Sequence, residues 1–254
     1  MKILKYVFLD IIRSKVLLGY AAFLFLVTMG MMSLSADPVK AVSSLLNIVL
    51  IVMPLFSVVF AGSYYYNAYE FTELLLAQPV RRSGLFVSQF TGVATALSAA
   101  FLVGCGIPVC IYVPGMAAMW LCVCGVLLSG VFTAIAFFAA VRNRDKTRGV
   151  GMAILLWFYF VFIYDALVLI FLFNFSDYPL EKSIMTLTLL NPVDLTRIIM
   201  LMQLDMAAIM GYTGALFTHF LSSAAGGWIC VAALCIWILL PFYFARRRFV
   251  RKDI

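Results

Sequence analysis

Methionine and histidine are the side chains of this sequence best suited to bind a soft metal ion. Met202, Met206 and Met210 recur every fourth residue, so on a helix they form one stripe, and His219, the only histidine, follows at a short distance. Thioethers with an imidazole suit Cu(I), although such a stripe is more often the packed or membrane-facing side of an amphipathic helix. A single histidine excludes a His-based catalytic triad and a histidine-rich metal site within this chain.

Cysteine offers a second route to metal binding. At 3.6 residues per turn, the two cysteines of each apolar stretch point about 140° or 200° apart, so no single helix presents two thiolates to one metal. Their location inside apolar stretches also argues against a disulfide framework in loops. We favour small apolar filler over a metal path. The cysteines are Cys105, Cys110, Cys122, Cys124, Cys230 and Cys235.

No sequence signature of an enzyme is present. The pattern GxxxxGK[ST], whose backbone amides hold the phosphates of ATP, does not occur. If the chain belongs to an active transporter, the nucleotide is therefore hydrolysed by another subunit. We expect a non-catalytic protein without a cofactor.

Long apolar stretches determine the class of the protein. The chain is 65% hydrophobic and 11% charged, and residues 83–141 contain no Asp, Glu, Lys or Arg. A membrane-spanning helix needs about 20 apolar residues, and in lipid every backbone N–H and C=O must be bonded within its segment. We predict an all-α polytopic membrane protein, with one transmembrane domain over 1–254 and six spans near 16–35, 42–66, 84–113, 116–141, 150–175 and 224–245.

The basic residues predict which ends of these spans face the cytoplasm. All but three of the 18 lysines and arginines lie in the amino-terminal arm, the loops after the second and fourth spans, and the carboxyl-terminal tail. Because basic loops stay on the cytoplasmic side of the membrane, we place both termini in the cytoplasm. The net charge of +7 then anchors the chain to membrane lipids. Nucleic-acid binding is not expected, since the cations are divided among membrane edges.

Three segments outside the spans have patterns of their own. The arm 1–15 is amphipathic, which predicts a helix lying in the membrane plane. The inner loop 67–83 predicts a short helix over 69–78, with acidic residues at its start and basic ones behind its end. Three consecutive leucines, 74–76, are too apolar for a solvated loop. That helix therefore either rests on lipid headgroups or docks into a groove of a cytoplasmic partner.

The outer segment 176–223 contains a helix start. Asn191 suits the capping position, Pro192 the first helical position, and Asp194 the positively polarised first turn. The helix could run to Met210 and is long enough to be a seventh span. Its charged residues argue against a seventh crossing, as does the basic tail, which such a crossing would place outside. We therefore predict an outer-surface helix.

Asp165 is the one acidic residue well inside a predicted span. An intramembrane carboxylate is costly and usually faces the interior of the bundle. A proton relay would need a chain of titratable groups, and only Tyr159 and Tyr164 are close in sequence. A hydrogen-bonded structural carboxylate near the outer end is the favoured interpretation, with an ion or proton site as the alternative.

Taken together, these features resemble the permease subunits of type-two ATP-binding-cassette (ABC) exporters. The resemblance is carried by the in-plane arm, the six spans, the basic tail and the inner stretch 72–82, Thr-Glu-Leu-Leu-Leu-Ala-Gln-Pro-Val-Arg-Arg, which is similar to the coupling loop of that family. The resemblance implies that an ABC ATPase contacts this loop at Glu70, Phe71, Glu73, Leu74, Gln78, Arg81 and Arg82. At two places the chain departs from the family pattern: the tyrosine-rich run 64–69 replaces an acidic, Gly-containing run, and Gln89 stands where many members have Lys.

The outer segment is similar to one group of that family, the NosY permeases of the nitrous oxide reductase maturation system. The similar stretches are 190–194 (Leu-Asn-Pro-Val-Asp), 203–205 (Gln-Leu-Asp) and 211–215 (Gly-Tyr-Thr-Gly-Ala). The resemblance implies a permease homodimer with two ATPase subunits and a periplasmic copper-handling protein. That periplasmic protein would contact the outer helix at Asn191, Asp194, Arg197, Gln203 and Asp205.

We therefore expect a permease that couples cytoplasmic ATP hydrolysis to a periplasmic event, the maturation of the copper centre of nitrous oxide reductase. An ABC exporter for a lipid, peptide or drug is the first alternative. A secondary transporter would need more buried ionisable groups than Asp165 alone. A membrane scaffold without driven motion is the last alternative.

Overall fold

The computed structural model describes residues 8, 11–35, 37–76, 81–175, 181–203 and 224–251, and their regular structure is helical throughout. Within these ranges, six helices are long and apolar enough to cross a membrane. The prediction of an all-α polytopic protein with six spans is confirmed. The spans are Lys15–Leu34, Lys40–Asn67, Arg82–Tyr112, Met116–Arg142, Lys146–Asn174 and Gly227–Arg251.

We number the helices in chain order. They are α1 Lys15–Leu34, α2 Pro38–Asn67, α3 Tyr69–Leu76, α4 Arg82–Phe101, α5 Ile107–Tyr112, α6 Met116–Arg142, α7 Lys146–Phe158, α8 Tyr164–Asn174, α9 Glu181–Leu189, α10 Pro192–Gln203 and α11 Ala224–Arg251. Two π segments, Leu102–Gly106 and Tyr159–Ile163, join α4 to α5 and α7 to α8, so spans three and five are each continuous. The loop 143–145 and the arginines of α11 lie at the same end of the bundle, called here the basic end.

Helix α6 is the centre of the bundle and packs against α2, α4, α7, α10 and α11. Small residues allow this, because lipid provides no hydrophobic drive between helices and close packing must hold them together. A Cβ added to Gly125 would overlap the ring of Phe101 on α4. The hydroxyl groups of Ser98 on α4 and Ser129 on α6 lie 3.0 Å apart.

Two cysteines from neighbouring helices meet at the end of the bundle opposite the basic end. The sulfur atoms of Cys110 on α5 and Cys122 on α6 are 3.9 Å apart. Helical spacing considers one helix at a time and so does not predict this pair. Among the described residues, no group of three or more His, Cys, Asp or Glu side chains is arranged to hold a metal ion.

An aromatic cluster joins three spans near the basic end. The ring of Phe86 on α4 lies 5.7 Å from that of Phe137 on α6 and 5.0 Å from that of Phe249 on α11. One turn along α4, the Phe90 ring lies 4.6 Å from that of Phe242. Aromatic pairs at these distances stabilise packing beyond the area they bury, so α4, α6 and α11 are held together at this end.

The amino-terminal arm falls largely outside the described residues. Phe8, Ile11 and Ile12 are helical, and Ile11 is buried against the bundle. Ser14 caps the start of α1, because its hydroxyl oxygen accepts a hydrogen bond from the Leu17 N–H at 3.2 Å. The in-plane helix over 1–15 remains a prediction.

Candidate functional site

The short helix predicted in the first inner loop is present. Helix α3, Tyr69–Leu76, follows α2 after one residue, and the turn is closed by Ala68 N–H donating to the Tyr64 carbonyl at 2.9 Å. The predicted helix ran on to Gln78, but residues 77–80 lie outside the described ranges. Helix α3 protrudes from the basic end, between the end of α2 and the start of α4.

One side of α3 is tied to the bundle. Thr72 is buried, and its hydroxyl oxygen accepts a 2.7 Å hydrogen bond from the Gln89 side-chain amide on α4. The same hydroxyl donates to the Ala68 carbonyl at 2.7 Å. Gln89 is itself buried, so this contact excludes water and fixes the distance between α3 and the first turns of span three.

The other side of α3 faces outward. Phe71 is 53% exposed and Leu74 71% exposed, and the carboxylate of Glu73 is also exposed. Large apolar side chains so open on a helix of eight residues are typical of a binding surface. The backbone of Glu70 belongs to this helix, whereas its side chain and the whole of Gln78 are outside the described residues.

Polar contacts organise the base of this surface. The Glu73 carboxylate and Arg144, from the loop after α6, both lie near the Tyr69 side chain. Burial, together with that carboxylate, raises the pKa of Tyr69 above its usual range, while Arg144 opposes the rise. Beyond α3, Arg81 and Arg82 are exposed at the start of α4. The surface therefore combines apolar, acidic and basic groups.

Tyr66, which belongs to the tyrosine-rich run 64–69, fixes the end of α2 to the loop after α6. Its hydroxyl lies 3.2 Å from the Ala140 carbonyl and 3.1 Å from the Asn143 carbonyl, to which it can donate. Only glycine fits opposite, because a Cβ on Gly149 would overlap the Tyr66 hydroxyl. Lys146 adds a 3.0 Å bond to the Asn67 side-chain oxygen. The tyrosine run 64–69 that departs from the family pattern thus supplies a link between inner loops.

At the other end of the protein, α9 and α10 form a hairpin fixed to span five. Asn191 caps α10 as predicted, since the Val193 N–H donates to its side-chain oxygen at 3.0 Å. The Asn191 amide also donates to the Phe160 carbonyl at 3.0 Å. That carbonyl lies in a π segment, where the regular helical ladder is disturbed. The Tyr164 hydroxyl donates to the Leu187 carbonyl at 2.6 Å.

The hairpin lies deeper than the predicted outer-surface helix, and that prediction is corrected here. Phe160, which Asn191 contacts, is midway along the span Lys146–Asn174. Helix α10 packs against α2, α6 and α11, and most of its side chains are buried. The reason is that the residues of α10 facing these spans are mainly apolar and are buried there, while Asp194 and Arg197 lie against Asp165 of span five.

The charged residues of α10 face span five. Arg197 Nη1 lies 2.9 Å from Asp165 Oδ2 and 3.1 Å from Asp194 Oδ1. The Asn191 amide also donates to Asp194 Oδ2 at 2.9 Å. Asp165 is therefore hydrogen-bonded, with Arg197 as its partner, and the structural role favoured from the sequence stays a prediction.

Two carboxylates share one guanidinium in this group, and the pKa of one of them is raised. Burial, with the nearby Asp165 carboxylate, raises the pKa of Asp194 to about 7, and Arg197 and Asn191 only partly oppose the rise. A proton at Asp194 removes the excess negative charge of the group. This accounts for the placement of three ionisable side chains against a largely apolar bundle.

Of the remaining residues predicted for an outer interface, some are described by the structure and others are not. Gln203, the last described residue of α10, is partly exposed, whereas Asp205 lies outside the described residues. Met206, Met210 and His219 lie outside them as well, so the methionine stripe stays a prediction. Asn191, Asp194 and Arg197 are brought together, but by contacts within the chain.

Six apolar helices, with the short helix α3 at the basic end, define a multi-pass α-helical membrane protein. Residues 72–254, from α3 to the end of the sequence, match the family described as ABC-2 family transporter protein. The chain belongs to this family and is therefore a membrane-spanning permease component of an ABC transporter, which implies an ABC ATPase as partner. No curated protein matches the chain.

Proposed function

We propose that α3 is the coupling helix through which the ATPase subunit drives this permease, and that the basic end faces the cytoplasm. The observation that carries the proposal is the two-sided character of α3. One side is held by the Thr72–Gln89 bond, and the other exposes Phe71 and Leu74 beside the Glu73 carboxylate. A short amphipathic helix of this kind suits a groove in a partner protein.

Contacts inside the bundle support transmission of motion from α3. Gln89 lies between Phe86 and Phe90 along α4, and the rings of these two residues pack on α6 and α11. On the other side, Tyr66 joins the end of α2 to the loop after α6. Displacement of α3 would therefore move spans two, three, four and six together, since close-packed helices transmit strain.

The proposed assembly is a homodimer of this chain with two ATPase subunits in a bacterial inner membrane. Its support is the resemblance to type-two exporter permeases and the concentration of basic residues in alternate loops. Span five adds to this, because Leu155, Leu167 and Phe173 are widely exposed and need either lipid or a second copy against them.

For the driven event we propose maturation of the copper centre of nitrous oxide reductase, in concert with a periplasmic copper-handling protein. The support is the similarity of 190–194, 203–205 and 211–215 to NosY permeases. Asn191, Asp194 and Arg197 would then serve by holding α10 in place, and the partner would contact the region of Gln203 and Asp205. Copper here is the cargo of the assembly.

The coupling role is tested by co-purification. The chain is expressed with its ATPase, and Phe71→Ala with Leu74→Ala is compared with Leu34→Ala. Leu34 is 85% exposed at the far end of α1, so the control removes an equally open leucine from the opposite end. We expect roughly tenfold less ATPase to be retained by the α3 variant and unchanged retention by the control. Equal retention by all three proteins would refute the docking role and favour a helix resting on lipid.

The copper role needs a separate readout. The chain and its ATPase are expressed in a nitrous-oxide-reducing host that lacks its own permease, and the copper content of the reductase is measured. Restored copper supports the proposed event. If the reductase stays without copper while the ATPase still binds α3, the permease function stands and the driven substrate is a different one, such as a lipid, peptide or drug.

A further inference from the structure

A pocket of about 620 Å³ opens between spans four and six at the basic end. Six residues line it: Phe138 and Arg142 from α6, and Phe244, Arg247, Arg248 and Arg251 from α11. All four arginines are exposed. The pocket shares no lining residue with α3 or with the α9–α10 hairpin.

The charge of the pocket is uncompensated within the described part of the chain. The ion pairs there join Arg148 to Asp145, and Arg197 to Asp165 and Asp194, and none involves an arginine of the pocket. Four guanidinium groups around one opening repel each other and attract anions. Arginine also presents a planar fork that matches the oxygens of a phosphate. The chemistry therefore favours an anionic ligand whose paired oxygens match the guanidinium fork, as those of a phosphate do.

Both helices arrange the pocket in two layers. Phe138 precedes Arg142 by four residues, and Phe244 precedes Arg248 by four, so the Cα atom of each phenylalanine lies about 6 Å deeper along its helix than that of the following arginine. Phe244 is 49% exposed on the side of α11 facing away from the core. An aromatic floor beneath a basic rim fits a molecule with an apolar body and an anionic head.

The position of the pocket identifies such a molecule. Its basic rim lies where the spans Met116–Arg142 and Gly227–Arg251 end, which is the boundary between hydrocarbon and headgroups. The opposite side of α11 carries Ala245 and Phe249, which are buried in the bundle. The arginine face therefore points outward, toward lipid. Basic pockets between spans at this level are typical binding sites for anionic headgroups.

We propose that this pocket binds the phosphate headgroup of an anionic phospholipid, with the acyl or glycerol portion against Phe138 and Phe244. In the orientation proposed above, the lipid would belong to the cytoplasmic leaflet. The bound lipid bridges the ends of spans four and six, which the aromatic cluster also joins. The inference holds whether or not α3 binds an ATPase.

The test uses the purified full chain in detergent, with phosphatidylglycerol, phosphatidylcholine and soluble glycerol phosphate as separate probes. Two double variants are compared. The pocket variant carries Arg248→Gln and Arg251→Gln, and the loop variant carries Arg144→Gln and Arg148→Gln, which removes the same charge from the neighbouring loop. Native mass spectrometry measures the lipid retained. We expect the wild type and the loop variant to retain phosphatidylglycerol over phosphatidylcholine, and the pocket variant to bind it at least about tenfold more weakly.

Three results would overturn the proposal. Equal loss in both variants would show attraction by general surface charge. If glycerol phosphate binds with the same affinity as phosphatidylglycerol, the pocket is a site for a soluble phosphate. Unchanged lipid binding with loss of a co-purifying protein would assign it to an acidic partner. Arg247→Gln, a single change on the same rim, repeats the measurement if the double variant does not fold.

Discussion

The Gln89 side-chain amide donates a 2.7 Å hydrogen bond to the Thr72 hydroxyl, and both groups are buried. This bond joins the protruding helix α3 to span three. Replacing Gln89 by Leu should keep the volume but remove the bond, at a cost of about 1 kcal/mol in the free energy of unfolding. We expect the ATPase still to co-purify, but its hydrolysis rate should no longer respond to the permease.

Two further variants make this result specific. Ser98→Ala removes another interhelical contact of α4, that with Ser129, and should leave coupling intact. Gln89→Lys should retain coupling, because an ammonium group can donate the same bond. Normal ATPase coupling in Gln89→Leu would show that the tether does not transmit motion.

Gly149 tests the link between the inner loops. An added Cβ would overlap the Tyr66 hydroxyl, so Gly149→Ala should displace that hydroxyl from the Asn143 carbonyl and lower the melting temperature by several degrees. Gly151→Ala, two residues along α7, meets nothing within 4 Å and should be neutral or slightly stabilising. Equal melting temperatures for the two variants would contradict the described packing.

Asp194 should make stability depend on pH. Its carboxyl has a pKa of about 7 in the folded protein but near 3.9 when unfolded, so the folded state binds an extra proton between these values. The contribution of Asp194 to stability should therefore be largest below about pH 4, fall as pH rises to about 7, and then stay constant. In a plot of melting temperature against pH, Asp194→Asn should flatten the region between about pH 4 and pH 7. The exposed Asp145→Asn should not change it. An unchanged slope in Asp194→Asn would contradict the raised pKa of this carboxyl.

The packing of spans three and four can be tested through Cys110 and Cys122. Their sulfur atoms are 3.9 Å apart. A small movement of the side chains would therefore bring them to the disulfide bond length of about 2.05 Å. After mild oxidation, an alkylating reagent should modify neither Cys110 nor Cys122. With Cys110→Ser, Cys122 should stay reactive. If Cys122 is lost equally in that variant, the two helices do not meet at these residues.

The six spans follow from the sequence because lipid imposes one rule on every backbone group. The depth of the α9–α10 hairpin does not follow from it. Asn191, Pro192 and Asp194 predict the start of a helix, and that start is confirmed. Their local pattern contains no information about Phe160, thirty-one residues away, whose carbonyl draws the hairpin into the bundle.

The same contrast applies to the inner site. Exposed residues such as Phe71 and Leu74 can be predicted, because three leucines and an acidic start stand out in a short loop. The residues that support α3 cannot. Gln89 and Tyr66 act through contacts with Thr72 and the carbonyl of Asn143, and only the folded arrangement brings those partners near. The departures from the family pattern at both positions were the available signal.

The most direct test of the central claim is photocrosslinking from α3 to the ATPase. A benzophenone amino acid is introduced at Leu74, and at Leu34 as the control, in the chain co-expressed with its ATPase. We predict a crosslink to the ATPase from position 74 and none from position 34. A complex that still co-purifies but crosslinks only from position 34, or from neither, would contradict the assignment of α3 as the coupling helix.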